Sequence, residues 1–144
     1  MKFVLDASTA IAVTLFAAPG TYAAQIARLM ATGGRPVCPV TWCVEISSAL
    51  HQAYMARKLS ESEARATLRK IQAFKIHFAA SPAPTAIFDL QIKSAVSAYD
   101  AMYVAIARRD GLKIATHDTR MAANLKQRGM HAMLLRSADL PEAT

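Results

Sequence analysis

The sequence predicts an α/β fold: a three-layer sandwich with a mostly parallel five-stranded sheet flanked by helices. Short apolar runs of three to five residues, typical of buried strands, alternate along the chain with longer segments in which apolar residues recur at helical spacing. The chain has 144 residues, of which 53% are hydrophobic. We therefore expect a single domain over residues 1–144 with an ordinary buried core, ending in a polar tail at 137–144.

The predicted strands are short and apolar, and the first of them starts at the chain end. They comprise residues 2–6, 36–40, 75–79, 112–116 and 133–135. Pro39 limits the second strand because proline cannot donate a hydrogen bond to a neighbouring strand.

Seven helices are predicted between these strands, and their ends carry capping or breaking signals. They comprise residues 9–18, 21–32, 41–57, 60–74, 85–95, 97–109 and 118–128. Ser8 or Thr9 is the expected cap of the first helix, and Ser60 with Glu63 forms a capping box. The helix over 97–109 has a predicted apolar face that comprises Tyr99, Met102, Tyr103, Ile106 and Ala107. Tyr54 is on the predicted apolar face of the helix over 41–57.

The charge balance and the cysteines restrict the function. A formal net charge of +7 suits a polyanionic partner. Cys38 and Cys43 match neither a zinc site nor a disulfide framework, so we expect two buried thiols in a cytoplasmic protein. No apolar run reaches the roughly 18 residues that a membrane span needs, so no membrane association is expected.

Four acidic residues lie at or near strand ends and helix starts. Asp6 ends the first strand, and Asp118 lies two residues past the fourth. Glu45 is near the start of the helix that follows the second strand. Connectivity places these three at the carboxyl edge of the sheet, where ligands bind in open α/β folds. Asp100 begins the helix over 97–109 and is not placed by connectivity alone.

Each acid also has a structural interpretation. Asp6 and Asp118 are good helix N-caps, and Asp100 fits a capping box with Ser97. Glu45 lies one residue beyond the position that the acid of a capping box would occupy. Taken as a set, converging carboxylates repel one another unless a cation is present, and a hard divalent ion such as Mg²⁺ takes oxygen ligands. The four histidines are scattered, and no glycine-rich phosphate loop is present.

Several segments resemble the PIN domain and, more narrowly, the VapC-type toxins of bacterial type II toxin–antitoxin pairs. The resemblance is collinear over residues 2–135, and its most specific part is the Tyr-Asp-Ala-x-Tyr sequence at 99–103. The segments that carry it are residues 4–8, 42–45, 99–107 and 114–118.

The resemblance implies a ribonuclease that depends on Mg²⁺ or Mn²⁺ and leaves a 5′-phosphate and a 3′-hydroxyl. The catalytic and metal-binding residues would be Asp6, Glu45, Asp100 and Asp118, with supporting hydroxyls from Ser8 and Thr116. The start of the helix over 97–109 would then face the carboxyl edge. Residues 119–123 lack the further acid that some members carry, so the occupancy of a second metal position stays open.

The resemblance also implies partners: an RNA substrate, a small antitoxin protein that covers the acidic cleft, and a second copy in a homodimer. Apolar surface beside the helices over 41–74 is a candidate antitoxin groove. Basic residues that either contact RNA or form solvated helix faces are Arg57, Lys58, Arg65, Arg69, Lys70, Arg108 and Arg109. No aromatic stacking platform is evident in the sequence.

Other functional classes remain. A PIN-fold nuclease could process RNA outside a toxin–antitoxin pair, and a non-catalytic module could keep the fold and bind RNA or protein. The non-catalytic hypothesis is disfavoured because all four acids are present. A metal-dependent phosphatase is a third class, but the Asp-x-Asp pair typical of it is missing at Asp6-Ala7-Ser8.

Overall fold

The computed structural model describes residues 1–141, so the last three residues of the predicted polar tail lie outside the described part. Its sheet has four parallel strands in the order β3-β2-β1-β4. They are β1 (Lys2–Leu5), β2 (Arg35–Cys38), β3 (His77–Phe78) and β4 (Ile114–Ala115). The predicted α/β class with a parallel sheet flanked by helices is confirmed.

All seven predicted helices are present, with ends within three residues of the expected positions. They are α1 (Ala7–Leu15), α2 (Tyr22–Ala31), α3 (Trp42–Met55), α4 (Glu61–Gln72), α5 (Pro84–Ser94), α6 (Ala98–Asp110) and α7 (Thr119–Gln127). The capping box of Ser60 and Glu63 forms as predicted. Of the two caps predicted for α1, Asp6 is confirmed, whereas Ser8 or Thr9 is wrong because Asp6 already accepts the Thr9 N–H at the N-cap position.

The fifth strand predicted at 133–135 is wrong for the described residues. A 3₁₀ turn occupies His131–Met133, and only Leu134 pairs with Ile114 as an isolated parallel bridge. The amide of Leu135 donates to the Ile114 carbonyl at 2.8 Å. The segment therefore lies beside β4 without continuing the sheet, because β4 itself has only two residues to pair.

The strand order creates a crevice beside β1. The chain runs outward from β1 to β2 and β3, then crosses back to place β4 on the other side of β1. Strand connections therefore leave in opposite directions between β1 and β4, which is where open α/β sheets bind ligands. The register pairs Leu5 with Ala115, so the next residues, Asp6 and Thr116, lie side by side at the carboxyl edge.

The core is built around β1 and α6. Phe3, Val4 and Leu5 are completely buried, as are Val104 and Ile106 on α6. Helix α6 packs on β1, β4 and α5, while α1 packs on α2, α3 and α4. Within residues 1–141, no helix is both long and apolar enough to cross a membrane.

Three residues predicted to be buried are exposed. Tyr99, expected on the apolar face of α6, has 54% of its surface exposed, and Tyr54 on α3 has 43%. Cys38 is buried as predicted, but Cys43 is exposed. The apolar pattern misassigned Tyr99 because the alanine-rich α6 has few large residues that mark which face turns inward.

The described part of the predicted polar tail is attached to the sheet. Ser137–Asp139 form a 3₁₀ turn, and Leu140 is buried. Asp139 forms ion pairs with Arg136 at 3.3 Å and with Lys113, which precedes β4, at 3.2 Å.

Candidate active site

Asp6 is the most deeply placed acid of the carboxyl edge, with only 4% of its surface exposed. It follows β1 directly and caps α1, accepting the backbone N–H of Thr9 at 2.8 Å. The Ser8 hydroxyl lies 2.8 and 2.9 Å from the two carboxylate oxygens, and the Thr116 hydroxyl donates to the second oxygen. Several donors therefore fix the orientation of this carboxylate.

A hydrogen-bond chain joins Asp6 to Asp118. The hydroxyl of Thr116, which donates to Asp6, accepts the backbone N–H of Asp118 at 2.9 Å. Asp118 Oδ1 in turn caps α7, accepting the N–H groups of Arg120 and Met121 at 3.0 and 3.1 Å. Asp118 is thus an N-cap, as its structural interpretation predicted, and it also stands at the edge that holds Asp6.

A second chain of contacts holds the β1 and β4 ends together. The Ser8 hydroxyl accepts the backbone N–H of His117 at 3.2 Å. The Thr9 hydroxyl donates to the Ala115 carbonyl at 3.1 Å and lies 3.0 Å from Nδ1 of His117. These side chains bridge the ends of β1 and β4. Both predicted supporting hydroxyls, on Ser8 and Thr116, also contact the Asp6 carboxylate.

Glu45 is positioned by a residue of α6. The Tyr103 hydroxyl, on a ring that is 1% exposed, donates to Glu45 Oε1 at 3.0 Å. A second contact between the two helices joins the Thr41 hydroxyl to the Met102 sulfur at 3.5 Å. The first turns of α3 and α6 are therefore adjacent, and Glu45 turns towards the crevice.

Asp100 lies in the first turn of α6, at the carboxyl edge. Ser97 caps this helix by accepting the backbone N–H of Asp100 at 3.1 Å. The helix ends at Gly111, whose φ of +65° suits glycine, and the chain then enters β4. Helix α6 thus runs from the carboxyl edge of the sheet back to the amino edge. Its first turn, with Asp100, therefore lies at the carboxyl edge, a position that connectivity alone did not determine.

Burial raises the pKa of three of these carboxyls, and like charges raise it further for two of them. Burial is the largest cause of the raised pKa of Asp6, while the Thr116, Thr9 and Ser8 hydrogen bonds oppose it. Burial also raises the pKa of Glu45, with further repulsion from Asp6 and Asp100. The pKa of Asp100 is raised by burial first and then by the charges of Asp118 and Asp6.

This charge pattern suits a divalent cation. The donors at the site are carboxylate and hydroxyl oxygens, the ligands that Mg²⁺ prefers, and one or two carboxylates with waters suffice for that ion. In the described part of the chain, no three His, Cys, Asp or Glu side chains are close enough together to hold a metal ion as they stand. Like charges raise the pKa of neighbouring carboxyls, and a bound cation would oppose that effect. The donor set therefore fits Mg²⁺. Direct binding of the ion by all four acids stays a prediction.

The sequence did not identify three residues that contact or influence the site. Tyr103 was assigned only to the apolar face, although its hydroxyl contacts Glu45. Arg120 is the cation whose charge lowers the pKa of Asp100. The position of Arg120, two residues after Asp118, was the signal in the sequence that could have placed it at the site. Thr9 was considered only as a cap, but it bridges to β4.

The predicted basic residues do not form one surface around the acids. Arg108 and Arg109 end α6, about 13 Å along the helix axis from Asp100. Arg109 pairs with Asp110 at 2.9 Å, and Arg65 on α4 pairs with Glu61 at 2.9 Å. Lys70 at the other end of α4 is exposed.

Comparisons with known proteins bear on the family and the fold of the chain. A family model described as the PIN domain matches residues 3–125. The structure is similar to the crystal structure of PAE2754 from Pyrobaculum aerophilum, with a TM-score of 0.65 and 20% sequence identity, covering 86% of this chain and 84% of that one. At this identity the likeness shows the fold alone. No curated protein matches the sequence. The chain belongs to the PIN domain family, whose members are generally nucleases.

Proposed function

We propose that this protein is a metal-dependent endoribonuclease that hydrolyses RNA phosphodiester bonds. The observation that carries the proposal is that Asp6, Glu45, Asp100 and Asp118 lie near the carboxyl edge beside β1, close enough for their charges to interact. Burial raises the pKa of Asp6, Glu45 and Asp100, and neighbouring carboxylates raise it further for Glu45 and Asp100. Such an arrangement is costly for folding and is typical of a site that binds a cation.

Asp6 and Asp100 are the first choice for direct ligands of Mg²⁺ or Mn²⁺. Glu45 and Asp118 would complete the site directly or through water. The bound ion would activate a water molecule and neutralise charge on the scissile phosphate. Ser8 and Thr116 orient the Asp6 carboxylate, and Tyr103 orients that of Glu45.

The net charge of +7 supports RNA as the substrate class. Four acids of the chain lie at one crevice, so the rest of the surface is more basic than the total indicates. A polyanion is attracted to such a surface at low ionic strength. Two exposed cations are available to contact the RNA backbone. They are Lys70, near the end of α4, and Arg120, at the start of α7.

The first prediction concerns the acids themselves. We expect Asp100→Asn to abolish Mg²⁺-dependent cleavage of a labelled RNA while leaving the fold intact, because Asp100 is only half-buried. Asp6→Asn should have the same effect on cleavage, with some loss of stability because its oxygens accept three donors. The measurement is RNA cleavage with Mg²⁺ and with EDTA, beside circular dichroism spectra.

Asp89→Asn is the matched control, since Asp89 is an exposed acid of α5 outside the site. It should cleave RNA like the unmodified protein. Undiminished cleavage by a folded Asp100→Asn variant would contradict the proposal. A small phosphate ester, assayed in parallel, should not be hydrolysed. Binding of RNA without any cleavage would instead identify a non-catalytic module.

We further propose that the nuclease is the toxin of a toxin–antitoxin pair, acts in the cytoplasm and forms a homodimer. Exposed apolar residues support surfaces for partners: Val44 and Met55 on α3 for the antitoxin, and Phe88 and Ile92, one turn apart on α5, for a second copy. A short neighbouring reading frame for a DNA-binding protein would favour this role. Growth unaffected by expression of the active nuclease would favour an RNA-processing role outside such a pair.

A further inference from the structure

Tyr99 is an aromatic residue that the core does not use. It lies in the first turn of α6, immediately before Asp100, whereas the buried residues of this helix begin at Ala101. Its side chain is 54% exposed, whereas Tyr103, one turn later on the same helix, is 1% exposed. Leaving a large aromatic ring in water forfeits the stabilisation that burial would give it.

The exposed ring of Tyr99 forms one side of a surface cavity of about 330 Å³. The cavity lies between the starts of α6 and α3, and its other lining residues are Val44, Glu45, Ser48, Ala49 and Gln52. Val44 is 65% exposed, so it presents a second apolar surface to the cavity. Because Glu45 belongs to the acidic crevice as well, the cavity opens directly beside the proposed reaction centre.

The chemistry of the lining distinguishes between parts of a nucleic acid. Neither Lys nor Arg is among the described residues that line the cavity, and its one charged residue, Glu45, would repel a phosphate. An aromatic ring and an apolar side chain suit the flat, uncharged face of a base. Gln52 and Ser48, which are hydrogen-bonded to each other at 3.5 Å, offer donors and acceptors to the edge of such a base.

We propose that this cavity, the Tyr99 cavity, binds one nucleobase of the RNA next to the scissile phosphate, stacked on Tyr99. Gln52 and Ser48 read the edge of that base and so contribute to sequence preference. The inference rests on the proposed ribonuclease function, because it takes RNA as the ligand, but it concerns binding and not the chemical step.

The test measures binding with cleavage prevented. In the Asp100→Asn protein with Mg²⁺, single-stranded oligoribonucleotides carry the fluorescent base 2-aminopurine, whose emission falls when it stacks. Adding Tyr99→Ala should weaken binding about 5- to 100-fold and remove the quenching at one nucleotide position. Tyr99→Phe should retain both, because the ring remains. Tyr54→Ala, which removes an exposed tyrosine of α3 that does not line the cavity, should change neither.

Base preference provides a second readout. Oligonucleotides that differ only at the quenched position should bind with different affinities, and Gln52→Leu should reduce those differences. Equal affinity and equal quenching for the Tyr99→Ala and Tyr99 proteins would overturn the inference. That result would leave the ribonuclease proposal intact, since the latter depends on the cleavage assay. A folded Asp100→Asn protein that still cleaves RNA would overturn the ribonuclease proposal instead.

Discussion

At the scale of single residues, the acids serve the fold and the site with the same side chain. Asp6 and Asp118 are helix N-caps, and both also present carboxylates to the crevice. A cap uses one oxygen to accept backbone N–H groups, which leaves the remaining lone pairs free for another ligand. The structural and the functional interpretations of these residues are therefore compatible, and a capping position is no argument against a role in the site.

Tyr103 gives a residue-scale prediction. Its hydrogen bond lowers the pKa of Glu45, which burial raises. In Tyr103→Phe the Glu45 pKa should rise further, because the carboxylate loses that donor. If the reaction needs ionised Glu45, the acid limb of the cleavage rate should move to higher pH, with a stability loss of about 1–3 kcal/mol. Tyr54→Phe is the control, and an unchanged pH profile in Tyr103→Phe would show that the contact is only structural.

At the scale of elements, the site is made from strand ends and helix starts. Asp6 and Thr116 follow paired residues of β1 and β4, so the strand register places them together. Glu45 and Asp100 come from the first turns of α3 and α6, which are adjacent. Helix starts also carry unpaired N–H groups and a partial positive charge, which favour nearby carboxylates.

The cap of α6 gives a prediction at this scale. Ser97→Ala removes the oxygen that accepts the Asp100 N–H, so stability should fall by about 1 kcal/mol. The Asp100 pKa should rise as well, because the Ser97 hydroxyl lowers it. Urea unfolding and cleavage rates at neutral pH measure the two effects.

Ser60→Ala is a matched control for that variant, because Ser60 caps α4 through the same type of bond to Glu63. Both variants should lose a similar free energy of unfolding. Only Ser97→Ala should cleave RNA more slowly. Equal cleavage rates for the two would show that Ser97 acts on stability alone.

At the scale of the whole molecule, a basic protein concentrates acids at one crevice. The raised pKa values of Asp6, Glu45 and Asp100 mean that the folded state holds these protons more tightly than the unfolded chain does. Their contribution to stability therefore falls as pH rises from the ordinary values of 3.8 and 4.5 through the raised ones. Buried carboxylates that repel one another disfavour the native state once they ionise.

A divalent cation should reverse this loss. Mg²⁺ would bind the ionised carboxylates, so the increase in melting temperature that it causes should grow as the pH rises through their raised pKa values. The lowered pKa of His117 acts in the opposite direction, but it contributes with and without the ion. Thermal melts with Mg²⁺ and with EDTA provide the measurement. The increase should vanish in Asp100→Asn, and an increase that is independent of pH would place Mg²⁺ elsewhere.

The sequence by itself determined the succession of elements and the identity of the acids. Alternating apolar runs and helical periodicity predicted the α/β class and seven helices, since both signals are local. Asp6, Glu45 and Asp118 followed from connectivity, because carboxyl ends of parallel strands share one edge. The fifth strand failed because a strand of three residues depends on its neighbour, and β4 offers Leu134 a single pairing.

Only the tertiary structure decided which faces turn inward and which side chains meet. Local periodicity cannot tell a buried tyrosine from an exposed one when alanines surround both, so Tyr103 and Tyr99 were assigned to one face. The placement of α6 on β1, β4 and α5 separates them. It brings the Tyr103 hydroxyl to Glu45 and leaves the Tyr99 ring exposed beside the same carboxylate. Contacts between residues 58 positions apart depend on the register of strands and helices, which is a property of the folded chain.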